Sequence, residues 1–250
     1  MRIPTPQWDA GAAGIRWADG NTWTKLAPDL GACVGAAAPH CEVRVVLRRG
    51  GEGAGFAGPG TEGEVVVRGG SVMRGYLGDA AATAAAFLPG GGPANPGAWL
   101  RTGDLGRLDG AGRLWLSGRA KDVIRTGAET VHPAEVERLL RRCPGVADAA
   151  VVGLPHARLG EQVAALVQSD PGAADVRVDA AAVRAHCRRA GCAGYKVPRV
   201  VVAGPEALPR RGIGKVDRAR VRAVLLAARR DAEGGEAGGG ETTQQPRSKL

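Results

Sequence analysis

The sequence predicts an α+β protein in which a β-rich first half is followed by a small α+β domain. Short β-branched runs separated by glycine-rich breaks fill the first half, and the clearest is EVVVR at residues 64–68. Further along the chain, Val136, Leu139 and Leu140 recur at the spacing of one helix face. Strand patterns first and mixed patterns later indicate two segments of different architecture.

The first half is predicted to contain short strands joined by turns. Residues 1–32 hold three tryptophans without a usable period, and we treat them as a leader of undefined structure. An alanine-rich helix is expected at 83–87, and Asp109-Gly110 marks a turn between the last two strands. The predicted strands are 41–47, 64–68, 99–102 and 114–116. Together they define a β-rich domain over residues 33–118.

The second half, residues 119–230, is predicted to be a compact α+β domain. Pro133 stands where a helix begins, Cys143-Pro144-Gly145 ends that helix, and Asp217 is the expected N-cap of the last helix. The remaining predicted elements are strands at 146–152, 163–167 and 197–202 and helices at 178–189 and 217–230. Residues 231–250 are rich in glycine and polar residues, and we expect a disordered tail there.

Composition excludes several classes of protein. The chain has 250 residues, 44% of them hydrophobic, which is enough for a packed core. The net charge is +9, but aromatic residues make up only 4% and do not alternate with the basic ones, so we expect no nucleic-acid partner. We find no apolar run near the 18 residues of a membrane helix and no secretory signal, and expect no membrane span.

The cysteines predict neither a disulfide framework nor a metal site. There are five, an odd number, and none forms a CxxC pair. The nearest approach to a cluster is His186-Cys187 with Cys192, for which packing is the simpler interpretation. Free thiols are typical of a reducing compartment.

Three segments carry side chains suited to chemistry. Asp104, in the glycine-flanked segment 99–106, could accept hydrogen bonds from the vicinal hydroxyls of a ribose, or could cap its own turn. Arg119 precedes a glycine-containing loop that suits a phosphate or sugar, although Gly-Arg also occurs by chance in so arginine-rich a chain. Lys215, in Gly-Ile-Gly-Lys before a helix, could meet developing negative charge or lie idle at the surface.

In combination and order, these segments resemble the adenylate-forming acyl-CoA ligases, from about residue 35 to 230. The predicted fold is then the β-rich subdomain of an adenylate-forming enzyme followed by its small mobile C-terminal domain. Residues 31–35 with Pro39-His40, and the loop 121–131, look most like the 2-succinylbenzoate–CoA ligases. The motifs that carry the wider resemblance are GEVVVRG at 63–69, Gly75-Tyr76, Thr83, RTGD at 101–104, GRxKD at 118–122, HPxEVE at 132–137 and PxxxxGK at 209–215.

The resemblance implies an activity and its reactants. The family activates a carboxylate with Mg-ATP to an acyl-adenylate and then exchanges AMP for coenzyme A. By resemblance, Asp104 and Arg119 bind the nucleotide, and Lys215 is the catalytic lysine between the attacking carboxylate and the α-phosphate. Lys121 matches the hinge of the mobile domain. The expected partners are a small-molecule carboxylate, ATP or AMP, Mg and coenzyme A, whose path is lined by Gly127, Ala128 and Glu129.

Two departures from the family pattern qualify these expectations. Ala128 stands where the family usually has a second glycine, and its methyl group could narrow the path of the thiol. The Ser/Thr/Gly-rich phosphate loop and the Tyr-Gly-x-Thr-Glu segment of the family are not found ahead of Cys33. We therefore expect a truncated ligase, with most of the ATP site and the acyl pocket absent, that is inactive alone.

The last three residues predict a location. Ser248, Lys249 and Leu250 form the C-terminal Ser-Lys-Leu signal that the peroxisomal import receptor reads. We expect a peroxisomal protein, and otherwise a cytoplasmic one.

Two other function classes stay open. The chain could be a non-catalytic nucleotide-binding or regulatory fragment of the same fold, which would give no turnover when the absent portion is restored. It could also be an arginine-rich nucleic-acid binder, whose affinity would fall steeply with salt.

Overall fold

The computed structural model describes residues 31–47, 55–92, 95, 97–173, 176–212 and 214–237, and three short strands nearer the N-terminus. These are β1 (Gln7–Asp9), β2 (Gly14–Arg16) and β3 (Thr22–Trp23), which form an antiparallel sheet in a segment where sequence patterns defined no element. The chain divides into two compact units, Met1–Asp122 and Val123–Leu250. The sequence placed this division between residues 118 and 119.

The main sheet of the first unit has five strands, all antiparallel, in the order β4-β8-β7-β6-β5. A short helix, α1, begins after Asp79, whose side chain accepts a hydrogen bond from the amide of Ala82 at 2.8 Å. This helix begins at Ala80, three residues before the predicted start at residue 83. The elements are β4 (Ala32–Ala36), β5 (Cys41–Val46), β6 (Gly63–Gly69), α1 (Ala80–Ala85), β7 (Leu100–Leu108) and β8 (Arg113–Arg119).

Strands β5 and β6 form as their β-branched residues predict, and Val45, Val65 and Val66 are 0–2% exposed. The connection between β7 and β8 is fixed by Asp109. Its carboxylate accepts from the Trp115 indole at 3.1 Å and from Arg113 Nε at 2.7 Å. Burial opposes ionisation of Asp109, but these hydrogen bonds and those from backbone amides outweigh it and lower the pKa of the carboxyl group.

The second unit is a mixed sheet covered by helices. Its strands follow the order β10-β9-β12-β11, and β13 pairs with β12 in parallel. A separate two-stranded hairpin, β14–β15, precedes the last helix. The elements are β9 (Ile124–Thr126), β10 (Glu129–Val131), α2 (Pro133–Leu140), β11 (Val146–His156), β12 (Gly160–Ser169), α3 (Ala180–Arg189), a 3₁₀ turn (Gly194–Lys196), β13 (Val200–Gly204), β14 (Arg210–Arg211), β15 (Lys215–Val216) and α4 (Arg218–Ala237).

Both faces of this sheet are buried. On β11, Ala149 and Val151 face a core cluster that includes residues of α2 and α3, whereas Ala150 and Val152 face a cluster that includes Val221 of α4. The near-continuous apolar run at 149–152 is the expected pattern for a strand covered on both sides.

Glu137 protects the outer edge of β11. Its carboxylate accepts from the Val151 amide at 3.0 Å and from Arg218 Nη1 at 2.8 Å, and the same guanidinium nitrogen donates to the Val151 carbonyl at 2.7 Å. The backbone groups that an edge strand would leave open are thereby satisfied by side chains of α2 and α4.

The predicted tail begins too early. Helix α4 continues to Ala237, seven residues past the predicted end at Arg230, and Val221 and Leu225 bury its first half. Residues 238–250, which contain the Ser-Lys-Leu signal, lie outside the described residues. No helix within the described part of the chain is long and apolar enough to cross a membrane.

Candidate functional site

Asp104 and Arg119 lie side by side on neighbouring strands of the first unit. They are register partners in the β7–β8 pairing, and Arg119 Nε lies 2.7 Å from Asp104 Oδ1. The aspartate side chain is 26% exposed and the arginine side chain 54% exposed. The pair therefore presents a carboxylate and a guanidinium to solvent from a fixed position, a geometry suited to hydroxyl and phosphate groups of a nucleotide.

A bulge in β7 sets the position of Asp104. The sequence placed this residue in a turn beyond a strand end, but β7 runs on to Leu108, and Asp104 lies inside the strand where pairing with β6 shifts register. Thr102 Oγ1 donates to the Val65 carbonyl at 2.8 Å and accepts from the Asp104 amide at 3.0 Å. Gly103 takes a φ of +71°, which a side chain would strain.

Lys121 lies in the turn that ends the first unit. The Ala120 amide donates to the Gly103 carbonyl at 2.9 Å, and the Asp122 amide donates to the Arg119 carbonyl at 3.0 Å. Lys121 is exposed and stands one residue before the last residue of the unit. The predicted hinge residue thus occupies the connection between the two units.

Gly127, Ala128 and Glu129 lie at the tip of the β9–β10 hairpin of the second unit. Thr126 pairs with Glu129, so Gly127 and Ala128 form a two-residue loop, and Gly127 has a φ of +64°. All three residues are exposed. Because Ala128 projects from a hairpin tip, its methyl group meets no crowding within the second unit.

Lys215 lies on β15, opposite Arg211 in the β14–β15 hairpin of the second unit. It is exposed, and its amino group has no hydrogen bond or ion pair to any described residue. Gly212 and Gly214 flank the hairpin turn with φ values of +43° and +89°. A lysine so placed presents its positive charge to solvent from a short hairpin.

The two arginines beside Lys215 hold the hairpin. Arg210 Nη1 donates to the Gly214 carbonyl at 2.6 Å, and its Nη2 lies 2.5 Å from Asp148 of β11. Arg211 Nε donates to Asp217 Oδ2 at 2.5 Å. Sequence patterns assign these arginines no role, because their partners Asp148 and Asp217 are known only from the structure.

Asp217 ties the hairpin to helix α4. Its Oδ1 accepts from the amides of Ala219 and Arg220, each at 3.2 Å, which confirms it as an N-cap, while its Oδ2 accepts from Arg211. The bond from Arg211, with help from the backbone amides and against the effect of burial, lowers the pKa of the Asp217 carboxyl group.

The thiols and acids of the described residues form no group of three that could hold a metal ion. Cys187 and Cys192 are instead packing partners at the end of α3, where the Cys192 amide donates to the Cys187 carbonyl at 3.0 Å. Contact with the Cys192 thiol and burial raise the pKa of Cys187, so this thiol stays protonated.

Residues 135–215 match the AMP-binding enzyme C-terminal domain family. The chain is 41% identical over 191 residues to an indoleacetate–CoA ligase of Aromatoleum aromaticum, an alignment covering 76% of this chain and 34% of that protein. It is 33% identical over 208 residues to the chloroplastic/peroxisomal 2-succinylbenzoate–CoA ligase of Arabidopsis thaliana, covering 80% and 35%. The chain thus spans about a third of the length of these relatives.

Two solved structures resemble the fold. ATP-bound MatB from Rhodopseudomonas palustris superposes with a TM-score of 0.66 at 33% identity, covering 77% of this chain and 35% of that one. The o-succinylbenzoate CoA synthetase MenE from Bacillus subtilis, in complex with the acyl-adenylate intermediate OSB-AMP, gives 0.61 at 30% identity, with 74% and 34% covered.

Proposed function

Because the chain belongs to the adenylate-forming acyl-CoA ligase superfamily and matches its C-terminal region, we propose that it forms that region of an ATP-dependent acid–thiol ligase. In the proposed reaction, a carboxylate attacks the α-phosphate of ATP, releasing pyrophosphate and leaving an acyl-adenylate. The thiol of coenzyme A then attacks the acyl carbon and releases AMP. The observation that carries the proposal is the Asp104–Arg119 pair, which offers a nucleotide both an acceptor and a cation from rigid strands.

Asp104 is proposed to accept hydrogen bonds from the ribose hydroxyls. Its carboxylate keeps a second oxygen for this purpose, and Arg119 compensates its charge while contacting ribose or phosphate. The bulge at Gly103 and the Thr102 hydroxyl hold the carboxylate in position before any ligand arrives. This preorganisation reduces the ordering that binding would otherwise require.

Lys215 is proposed to act in adenylation. As the carboxylate attacks, negative charge gathers on the oxygens around the α-phosphorus, and an ammonium group placed there stabilises the transition state more than the ground state. An unpaired, exposed lysine does not have to break an ion pair of its own first. Its free amino group in the described structure supports this role.

Lys121 is proposed as the hinge between half-reactions, and Gly127, Ala128 and Glu129 as the lining of the coenzyme A path. An exposed turn residue between two compact units can absorb a change of backbone angles without disturbing either core. The exposed hairpin tip offers backbone groups to an extended pantetheine chain.

Magnesium that accompanies ATP has no assigned ligands among the described residues. They contain no cluster of three acidic, histidine or cysteine side chains suited to a metal ion, and Asp104 is engaged with Arg119. The proposed roles do not depend on the metal, because each is a direct contact of a side chain with the nucleotide or the reacting groups. The side chains are those of Asp104, Arg119 and Lys215.

The acyl substrate is proposed to be 2-succinylbenzoate, on the likeness to the Arabidopsis thaliana and Bacillus subtilis proteins. Relatives of higher identity, 41% and 42%, are named for other acids, indoleacetate and 4-chlorobenzoate. A panel of these three carboxylates, tested on a ligase that contains this region together with its own acyl pocket, distinguishes the choices, because only the preferred acid should support rapid release of pyrophosphate.

The proposal is tested by restoring a complete ligase. We propose that the 250 residues alone do not adenylate, and that they do so when they replace the matching C-terminal third of the indoleacetate–CoA ligase. Indoleacetate-dependent exchange of pyrophosphate into ATP is the measurement. A chimera that folds and binds ATP but shows no exchange would favour the second candidate, a non-catalytic nucleotide-binding module of the same fold.

A peroxisomal location is proposed from Ser248, Lys249 and Leu250 and from the location named for the Arabidopsis thaliana relative. Removal of Leu250 alone should abolish binding to the peroxisomal import receptor, measured with the purified receptor. Unchanged binding after the removal would contradict this proposal.

A further inference from the structure

The hairpin that carries Gly127, Ala128 and Glu129 is short, and its position depends on neighbouring elements. Strands β9 and β10 have three residues each, and β9 joins β12 through a single register pair, Thr126 with Gly160. Two further bonds fix the hairpin to the β11–β12 connection. The Gly127 amide donates to the Leu159 carbonyl at 2.8 Å, and the Arg125 amide donates to Glu161 Oε2 at 2.9 Å.

Glu161 supplies an acceptor that the sheet itself lacks. In an antiparallel hairpin, pairs that exchange backbone bonds alternate with pairs that do not, and the pair next to a two-residue loop exchanges them. Thr126 and Glu129 form that pair, so the next residue, Arg125, directs its amide away from β10 and toward β12. The side-chain carboxylate of Glu161 takes the position of a ladder carbonyl.

Gly153 makes room for this carboxylate. An added Cβ at Gly153 would lie 2.7 Å from Glu161 Oε1, 2.8 Å from Cδ and 3.0 Å from Oε2. Glu161 pairs with Pro155, so its side chain extends across β11 over the glycine. The absence of a side chain at residue 153 is what lets the carboxylate lie against the strand and reach Arg125.

The turn between β11 and β12 fixes the second contact. His156 pairs with Gly160, which leaves a three-residue loop closed by Gly160 at a φ of +75°. His156 Nδ1 accepts from the amides of Arg158 and Leu159, each at 3.2 Å. The imidazole thereby orders the loop that ends at Leu159, and the Leu159 carbonyl accepts from the Gly127 amide.

We infer that Glu161 is a positioning residue for the thioester-forming half-reaction, holding the β9–β10 hairpin where coenzyme A contacts its tip. The inference rests on the proposed function, because it takes Gly127, Ala128 and Glu129 as the coenzyme A path. Glu161 touches no reactant in this scheme. It acts through the Arg125 amide, with Gly153 and the His156 turn as its supports.

Three variants of the 250-residue chain separate this role from general stability. Glu161→Ala removes the acceptor, Glu161→Gln keeps a neutral one, and Gly153→Ala displaces the carboxylate without changing it. The matched control is Glu206→Ala, which removes an exposed carboxylate elsewhere in the second unit. Thermal unfolding of each variant identifies any that lose the fold as a whole. If Glu161→Ala does not fold, Gly153→Ala still tests the contact between Glu161 and the Arg125 amide.

Two measurements on the isotopically labelled chain test whether Glu161 positions the hairpin. Amide hydrogen exchange at Arg125 and Gly127 should become about tenfold faster in Glu161→Ala and Gly153→Ala, and should change little in Glu161→Gln and Glu206→Ala. Titration with coenzyme A, followed by the amide signals of residues 127–129, should show about tenfold weaker binding in the same two variants.

The outcomes are distinguishable. Unchanged exchange at Arg125 in both Glu161→Ala and Gly153→Ala would overturn the inference. Faster exchange with unaltered coenzyme A affinity would also overturn it, because the contact would then be structural only. If coenzyme A leaves residues 127–129 of the unaltered chain unmoved, the proposed coenzyme A path itself is wrong, and the inference falls with it.

Discussion

The two units present their candidate residues in opposite ways. In the first unit, Asp104 and Arg119 are bonded to each other and fixed by a strand ladder, a bulge and the Thr102 hydroxyl. In the second unit, Lys215 has no partner among the described residues, and its hairpin is joined to β11 and to the start of α4 through Arg210 and Arg211. Rigid support suits a group that holds a nucleotide throughout, whereas a free cation suits a group needed in one step.

The largest expected effect is on activity and comes from Lys215. In the chimeric ligase, Lys215→Ala should slow pyrophosphate exchange by about 10²–10³-fold, since a charge that stabilises the transition state is removed. The melting temperature should not change, because the amino group bonds to no described residue. Lys215→Arg is the matched control that keeps the charge. A parallel loss of stability would show that the lysine is structural.

A smaller effect, on stability, is expected from Glu137, which forms an ion pair with Arg218 in the second unit. Glu137→Ala removes the acceptor of both the Val151 amide and Arg218, and should lower the free energy of unfolding by about 3 kcal/mol. Glu137→Gln keeps an acceptor and should lose less. Urea unfolding measures both variants. Equal losses for the two would mean that the negative charge of Glu137, rather than its hydrogen-bond acceptor, stabilises the edge of β11.

The smallest effect concerns the base of the Lys215 hairpin and depends on pH. Because the pKa of Asp217 is lowered in the folded state, its contribution to stability is complete above the unfolded value, about 3.9, and is lost as pH falls through the folded value. Asp217→Asn keeps the helix cap but not the charge. Between about pH 5 and about pH 3, its melting temperature should therefore fall less than that of the unaltered chain.

The same comparison with Glu206→Gln, an exposed carboxylate of the second unit, controls for the general effect of acid. If the melting temperature of Asp217→Asn falls with pH as steeply as that of the unaltered chain, the role given to the Arg211–Asp217 pair is contradicted.

Local sequence predicts the strands whose residues are β-branched and the helices whose apolar residues recur at helical spacing. It does not predict β4, made of small residues, or the charged β14–β15 hairpin, because only their pairing makes them strands. The end of α4 also escaped prediction, since residues 231–237 contain two glycines and carry no amphipathic pattern.

For the candidate site, motif order singled out Asp104, Arg119 and Lys215, and the structure joins the first two by an ion pair. Their nucleotide-binding role stays a prediction. The supports of these residues could not be predicted, because they come from contacts between distant segments. Glu161 reaches Arg125 across 36 residues of sequence, and Arg210 reaches Asp148 across 62.

The central claim is that the fixed pair serves both half-reactions and the free lysine serves one. The direct measurement supplies the chimeric ligase with preformed acyl-adenylate and coenzyme A, and follows thioester formation for Asp104→Ala and Lys215→Ala. We predict that Asp104→Ala is slowed in this half-reaction and that Lys215→Ala retains the unaltered rate. Equal impairment of the two variants, or impairment of Lys215→Ala alone, would contradict the account.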